Sequence, residues 1–363
     1  MSPRGSQRVR LRDVAARAGV SLGSASQAFG RPELVSAEVR ERVLAAAKAL
    51  GYGGPDPAAR SLRLGRAGAL GLIFSERLRY QFTDPAAPAF LVGLAREMED
   101  SHLGLLLIPD SRHRAATADT VRGASVDGFV IYSAVRNDPR VEAAQARQLP
   151  AVTVDQPRDA ATPFIGIDDR AAARTAAEHL RQLGHEHVAV LSFVSALDAE
   201  GSLALDLSAE RLAGYKDGLG SAWDARAVRT CRPNTREPAR LAALELLQSE
   251  APPTAMLAMS DVLALGALQA ADELGIAVPA ELSIVGFDDS PAAELATPPL
   301  TTISQPHEEK GRLAAKWLIE AIERGGTPRG RRRRAILPTE LVVRQSTAPP
   351  ALRGSASLRR TSR

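Results

Sequence analysis

A single cysteine, Cys231, stands in 363 residues, so no disulfide can form within the chain. No histidine or second cysteine clusters with it, and it reads as a buried or idle thiol. No apolar run approaches the ~20 residues needed to span a bilayer, so no membrane partner is expected. The opening MSPRGSQRVR is charged and lacks an apolar h-region, so it does not read as a secretory signal. Phosphate-loop, nucleophile-elbow and CxxC motifs are all missing, and no carboxylates stand in a recognisable catalytic pairing. These absences predict a cytoplasmic protein that is not an enzyme and needs no cofactor. Lysine is scarce, 4 residues against 42 arginines, which reads as coding bias rather than mechanism.

What is present is enough for a full core: 45% of residues are hydrophobic. The length suits a small domain joined to a larger two-lobed one. Charge is unevenly spread. Residues 1–66 carry a net +7, residues 67–323 a net −13 and residues 324–363 a net +10. A basic head on an acidic body is what a nucleic-acid-binding module fused to a different domain should look like. Charge alone also fits a merely solvated N-terminus.

The local pattern sharpens that choice. Leu11, Val14, Ala15 and Ala18 fall at helical spacing and make one apolar face. Gly19 can take the left-handed conformation of a tight exit, Val20 can plug the turn, and Ser21 is a good N-cap. A second helix over 22–29 points Ala25, Ala28 and Phe29 inward and Leu22, Gly23, Ser24 and Gln27 outward. Ser36 caps a third helix with Val39, Val43, Leu44, Ala47 and Leu50 as its core face, and Gly51 closes it. Helix, glycine turn and short second helix make a helix-turn-helix, whose second helix enters the major groove of DNA.

The runs LRDVAARAGVSLGSASQAF, VSAEVRERVLAAAKALGY and PDPAARSLRLGR together closely resemble the head of the lactose-repressor (LacI/GalR) family. The resemblance implies a DNA-binding domain over 7–52 and a hinge over 53–66 that folds on operator DNA. It implies DNA contacts from Leu11, Arg12, Ser21, Leu22, Gly23, Ser24, Gln27, Arg31, Ser36, Tyr52, Ala59 and Leu62. Leu62 maps to the hinge leucine that wedges into the minor groove, where apolar wedges bend the duplex. Two positions depart from many relatives. Gln27 stands where arginine is common and favours adenine over guanine edges, and Gly23 offers no side chain. Gly53-Gly54 makes the link to the hinge one residue longer than usual.

From Ala69 onward, short apolar runs alternate with amphipathic helices. Strands are expected at 70–74, 103–108, 128–132, 151–154, 188–192, 254–259, 283–287 and 341–343. Helices are expected notably over 171–183 and 262–274. Such alternation implies parallel sheets covered on both faces, with ligands at the carboxyl ends of strands. IGIDDRAAARTAAEHLRQLGH, SAERLAGYKDGL, TAMLAMSDVLALGALQAADELGIAVP, LSIVGFDD and PPLTTISQP resemble the same family's sensor domain, in the family's order. The implied body, 67–347, is a periplasmic-binding-protein-like α/β fold of two parallel-sheet lobes joined by three crossovers, LTTISQP being one. A disordered tail is expected over 348–363.

The resemblance implies an effector site built from Arg211, Asp288, Asp155, Ser260 and Phe164. Arginine's planar fork suits a hydroxyl pair, a carboxylate or a phosphate, and the aspartates accept from hydroxyls or amines. Ser260 sits where relatives often have asparagine. Phe164 is equally a stacking ring or plain core. The loop Tyr80 to Asp84 is a further expected contributor. The low aromatic content, 4%, disfavours a stacked sugar. The expected partners are double-stranded operator DNA, a sugar, nucleoside or other small metabolite, and a second copy of the chain. His185-Glu-His187 reads as a surface turn, since no third ligand is near. Arg331 to Arg334 reads as a solvated loop. The tail lacks the apolar heptads of a coiled-coil tetramer. A secreted binding protein and an α/β enzyme are the rival readings. Salt-dependent binding to DNA separates both from a regulator.

Overall fold

The computed structural model describes residues 9–54, 65–74, 85–108, 114–135, 137–158, 162–192, 206–326 and 333–351, with backbone only at 114–116 and 206. It divides into two compact units, 1–68 and 69–363.

The head is three helices, α1 (Leu11–Ala18), α2 (Leu22–Gly30) and α3 (Ala37–Leu50). Each boundary has a local cause. Gly19 takes φ 65° and Gly51 φ 67°, a left-handed exit that costs a glycine no Cβ clash. Ser21 Oγ accepts from Ser24 N at 3.0 Å and Ser36 Oγ from Val39 N at 3.3 Å, so both serines cap helices. Val14, Ala15, Ala18, Ala25, Ala28, Val43, Ala46 and Ala47 form the small core. Leu44 is not in it: the side chain expected inside is 41% exposed. Val43, Ala46 and Ala47 already fill the stripe at i, i+3 and i+4, and Leu44 lies 100° off it.

The body holds two six-stranded sheets. The first contains β1 (Ala69–Phe74), β2 (Gly104–Ile108), β3 (Gly128–Tyr132), β4 (Ala151–Val154), β5 (Phe164–Ile167) and a late strand, Arg334–Leu337. Its order is late strand, β5, β4, β3, β1, β2, all parallel. The second contains β6 (Val188–Ser192), β7 (Val228–Thr230), β8 (Ala255–Ala258), β9 (Ser283–Asp288) and β10 (Thr301–Ser304). The late strand is β11, and β12 (Glu340–Val342) closes the second sheet antiparallel to β10, in the order β12, β10, β9, β8, β6, β7. Helices cover the faces: α4 (Ala86–Met98), α5 (Arg114–Gly123), α6 (Pro139–Ala146), α7 (Asp169–Gln182), α8 (Asp206–Leu219), α9 (Arg236–Leu247), α10 (Asp261–Glu273), α11 (Pro291–Glu294) and α12 (His307–Glu323).

The chain changes lobes after β5, after β10 and after β11. Those are three crossovers, and LTTISQP is the second. Within it, Thr301–Ser304 is a strand. After it, α12 returns to pack on α4 in the first lobe. That packing is backbone on backbone. A Cβ on Gly93 would fall 1.8 Å from the Glu308 carbonyl oxygen, and one on Gly311 2.0 Å from that of Phe90. The contact fixes the first turns of α12, which carry site residues.

Several expectations are corrected. Arg334 opens edge strand β11, and the Arg333 carbonyl accepts from Phe164 N at 3.1 Å, so this half of the arginine run is not a loop. Arg331 and Arg332 lie outside the described residues. His185 is not on the surface. It is buried, with Nδ1 2.9 Å from Thr254 Oγ1 and Nε2 3.0 Å from Ser283 Oγ and 2.9 Å from the Ala348 carbonyl. His187, in the turn before β6, is exposed. Ala348 also accepts Ser283 as a partner for its own N–H at 3.0 Å, so the tail expected from 348 begins docked on the body. Cys231 is buried, and burial pushes its thiol up to about 12, which leaves it unreactive.

Candidate functional site: a recognition helix and an interlobe cleft

On the head, the second helix offers its first turns outward. Leu22 is 55% exposed, and Gly23 and Gln27 are exposed beside it. Ser24 is half-buried and shares a 2.9 Å hydrogen bond with Ser21 Oγ. Arg12 and Arg31 are exposed, Arg12 beside Asp13 at 3.6 Å. Leu11 and Tyr52 are half-buried against the core, the Tyr52 ring 5.7 Å from that of Phe29. Ser21 and Ser36 spend their hydroxyls as caps. Ala59 and Leu62 lie outside the described residues. Arg42 was not foreseen. Its Nη2 donates to the Ala18 and Gly19 carbonyls at 2.6 and 3.1 Å, which locks the turn between α1 and α2.

In the body, the expected site residues lie at or just beyond the carboxyl ends of strands. Asp155 follows β4, Ser260 follows β8 and Asp288 ends β9. Arg211 reaches them from α8. Its Nε donates to Asp169 Oδ1 at 2.9 Å, its Nη1 to the Met259 carbonyl at 2.6 Å, and its guanidinium lies 3.7 Å from the Phe287 ring centroid. Asp169 also takes Arg158 Nη2 at 2.8 Å, which links a residue beyond β4 to the second lobe. Ser260 caps α10 and donates to Asn234 Oδ1 at 2.8 Å. Phe164 is buried, and the guanidinium carbons of Arg158 and Arg334 lie 5.7 and 4.8 Å from its ring centroid. Of the two expected roles, it is a buried core ring and not an open stacking face.

Lys310 was not singled out by the sequence. Its Nζ donates to Asp155 Oδ1 and to Gln305 Oε1, both at 2.6 Å, and Gln305 Nε2 donates to Asp288 Oδ1 at 2.5 Å. Asp155, Asp288 and Asp289 all have positive φ, 62°, 120° and 56°. Non-glycine residues tolerate this only where surroundings enforce it, and such strain clusters at functional sites. Next to Asp288 opens a cavity of about 390 Å³, walled among others by Ala86, Ala89, Ser290, Gln305 and His307. It does not touch Asp155, Arg211 or Ser260, whose hydrogen bonds run to Lys310, to Asp169 and the Met259 carbonyl, and to Asn234.

Behind the cleft, Asp261 accepts from Thr302 Oγ1 at 2.6 Å and Ser290 N at 2.7 Å. A Cβ on Gly286 would meet its Oδ1 at 2.3 Å, so the glycine of GFDD makes room for this carboxyl. Burial first, and then the charge of Asp288, raise the Asp261 carboxyl. Burial likewise raises Asp288, against Arg211, Gln305 and Lys310, which pull it down. A carboxyl raised in the fold binds a proton more tightly there than in the unfolded chain. Its contribution is full in acid and lost as the pH rises toward neutrality. Asp261→Asn is therefore expected to flatten the fall in stability between about pH 4 and pH 7, read by urea unfolding across that range. His185, lowered mainly by burial, contributes with the opposite sign, losing stability as the pH falls. The comparison with the variant cancels it. An unchanged slope would show that Asp261 ionises normally.

Comparison with known proteins matches residues 10–54 to the model for bacterial regulatory proteins of the lacI family, and residues 177–347 to a periplasmic binding protein-like domain. An HTH-type transcriptional regulator of Mycobacterium tuberculosis (strain ATCC 25618 / H37Rv) is 39% identical over 97% of this chain and 100% of its own. The chain belongs to the lacI family. IpsA of Corynebacterium glutamicum, another HTH-type transcriptional regulator, is 37% identical over 86% of this chain and 91% of its own. Among solved structures, the lac repressor dimer bound to operator and an anti-inducer superposes with a TM-score of 0.76 at 27% identity, covering 94% of this chain and all of that one. A CelR–cellobiose complex superposes at 0.68 with 28% identity over 93% of this chain and all of that one. This lacI-family chain is thus a helix-turn-helix transcriptional regulator, with an α-helical head and two parallel-sheet lobes. None of its described helices is long and apolar enough to cross a membrane.

Proposed function

We propose that this regulator is a repressor that binds a pseudo-palindromic operator as a homodimer and releases or tightens it when a small molecule enters the interlobe cleft. One observation carries the reading. Asp288 and Gln305 line a cavity at the carboxyl ends of the strands, and through Gln305 and Lys310 a chain of hydrogen bonds ties Asp288 of one lobe to Asp155 of the other. Binding clefts combine a few convergent polar groups with an apolar wall in this way. Relatives support the class of partner, since one solved neighbour holds cellobiose and another ribose. Exposed Leu241 and Leu295 on the second lobe, and Val92 and Leu106 on the first, suit a subunit interface. The signal would reach DNA through the hinge, 53–66, most of which lies outside the described residues. A ligand shifts lobe orientation only by its differential contacts with the two orientations.

The experiment is an in vitro selection of operator sequences by the purified protein and by Gln27→Ala. Gln27 reads an adenine edge in this account, so the variant should lose preference at one base pair of each half-site. It should also bind the wild-type operator more weakly by about 1–3 kcal/mol. An identical selected motif for both proteins would reduce Gln27 to a surface residue, and failure to select any motif would remove the operator reading.

A further inference from the structure

Lys310 is fully buried, and it lies on the face of α12 that otherwise carries Gly311, Ala314, Ala315 and Leu318. A lysine there needs a reason, because a buried ammonium is costly unless paired. The reason is a relay. Asp155 Oδ1 accepts from Lys310, Lys310 also donates to Gln305, and Gln305 donates to Asp288 Oδ1. The relay runs from the end of β4 in one lobe, along the second crossover, to the end of β9 in the other.

Its effect on a ligand follows from which atoms remain. Lys310 has no exposed surface, so it does not meet a ligand itself. Asp155 and Asp288 keep about a tenth of their side-chain surface open, 10% and 12%. Each has spent Oδ1 on the relay. No hydrogen bond to Oδ2 of either is recorded among the described residues, so a ligand that fills the cavity at Asp288 and extends to the end of β4 would meet two carboxylate oxygens. An ionised carboxylate accepts and cannot donate. Arg211 does not offset this. Its guanidinium is engaged by Asp169, by the Met259 carbonyl and by the Phe287 ring. A sugar acid or phosphate ester would therefore face acceptors where it needs donors. A hydroxyl pair or an ammonium would be matched.

We propose that Lys310 is a positioning residue for effector choice: by pairing with Asp155 and holding Gln305 on Asp288, it makes the cleft select a ligand that presents hydroxyl or amine donors to both aspartates and reject acidic analogues. This rests on the cleft being the effector site.

The test is a thermal-shift screen of the full-length protein. The probes are pentoses, hexoses, disaccharides and polyols, each with its amino, uronic-acid and phosphate counterparts. Wild type should be stabilised by a neutral or amino member and at least 10-fold more weakly by the matching acid. Lys310→Met should abolish that preference. Because it leaves Asp155 buried and unpaired, it is run beside Lys310→Met/Asp155→Asn, which removes both charges at similar volume. The double variant should fold, as judged by an unchanged unfolding profile, yet bind the neutral hit at least 10-fold more weakly and lose discrimination against the acid. A double variant that keeps wild-type affinity and selectivity would show that Lys310 only fills space, and overturns the inference while leaving the cleft as the effector site. Hits confined to acids overturn the inference as well. No hit in any class overturns both it and the effector reading.

Discussion

Arg211→Ala is expected to destabilise the body by roughly 3–5 kcal/mol, the range for breaking a buried ion pair by removing one partner. The expectation is specific to this geometry. Both partners are nearly fully buried, and the bond between them is 2.9 Å. Truncation would strip Asp169 of its more deeply buried cation, leaving Arg158 at 2.8 Å from the other oxygen. It would also orphan the Met259 carbonyl and uncover the Phe287 ring. Urea unfolding of the full chain reads the loss. Arg211→Met/Asp169→Asn replaces the pair by neutral groups and should recover much of it, since partners in contact couple strongly. The head has its own core, so DNA binding should survive in both variants. Their operator affinity should no longer respond to any ligand that moves wild type. A loss under about 1 kcal/mol for Arg211→Ala would mean that Arg158 alone neutralises Asp169, contrary to the usual cost of an uncompensated buried charge.

The head and the order of the body were legible because their determinants are local. Gly19, Ser21, Ser36 and Gly51 act within four residues of themselves, and the spacing of Val14, Ala15 and Ala18 marks a face without reference to anything distant. Strands buried on both faces, such as Leu70 to Phe74, read as continuous apolar runs. The four strands passed over are the ones where that signal fails. Phe164–Ile167 and Thr301–Ser304 have four residues each, with a glycine or threonines diluting the run. Val228–Thr230 has three, at a sheet edge. Arg334–Leu337 is an edge strand whose outward residues are an arginine and Ile336, 48% exposed. In the site, the residues named by resemblance were brought together, but their partners were not foreseen. Arg158, Asp169, Gln305 and Lys310 act through pairings that span up to 155 positions of sequence. One of them did leave a trace. His307, Lys310, Gly311, Ala314, Ala315 and Leu318 follow helical spacing, so a charge on that stripe was visible as an anomaly.

Operator affinity is expected to fall about 10³-fold or more between 50 and 200 mM salt, the behaviour of a protein that neutralises at least six phosphates. The attraction draws on the charge of the head. Arg10, Arg12, Arg17, Arg31, Arg40 and Lys48 are exposed there, and only Arg12 among them has an ion pair recorded, the loose one with Asp13. A dimer doubles that set, so even half of it engaged would reach six phosphates. The stretch from 67 to 323 carries a net −13 and repels the duplex at long range, against which the head's basic residues act. Counterion release then makes log affinity linear in log salt, with a slope of about −0.9 for each phosphate neutralised. Titration of a labelled operator by fluorescence anisotropy at four salt concentrations gives that slope directly. Arg31→Ala should lower it by about one unit per head engaged, while Gln27→Ala, which acts on a base edge, should leave it unchanged. A wild-type slope shallower than about −2 would mean that one head at most touches DNA, and the dimeric reading of the operator would then fail.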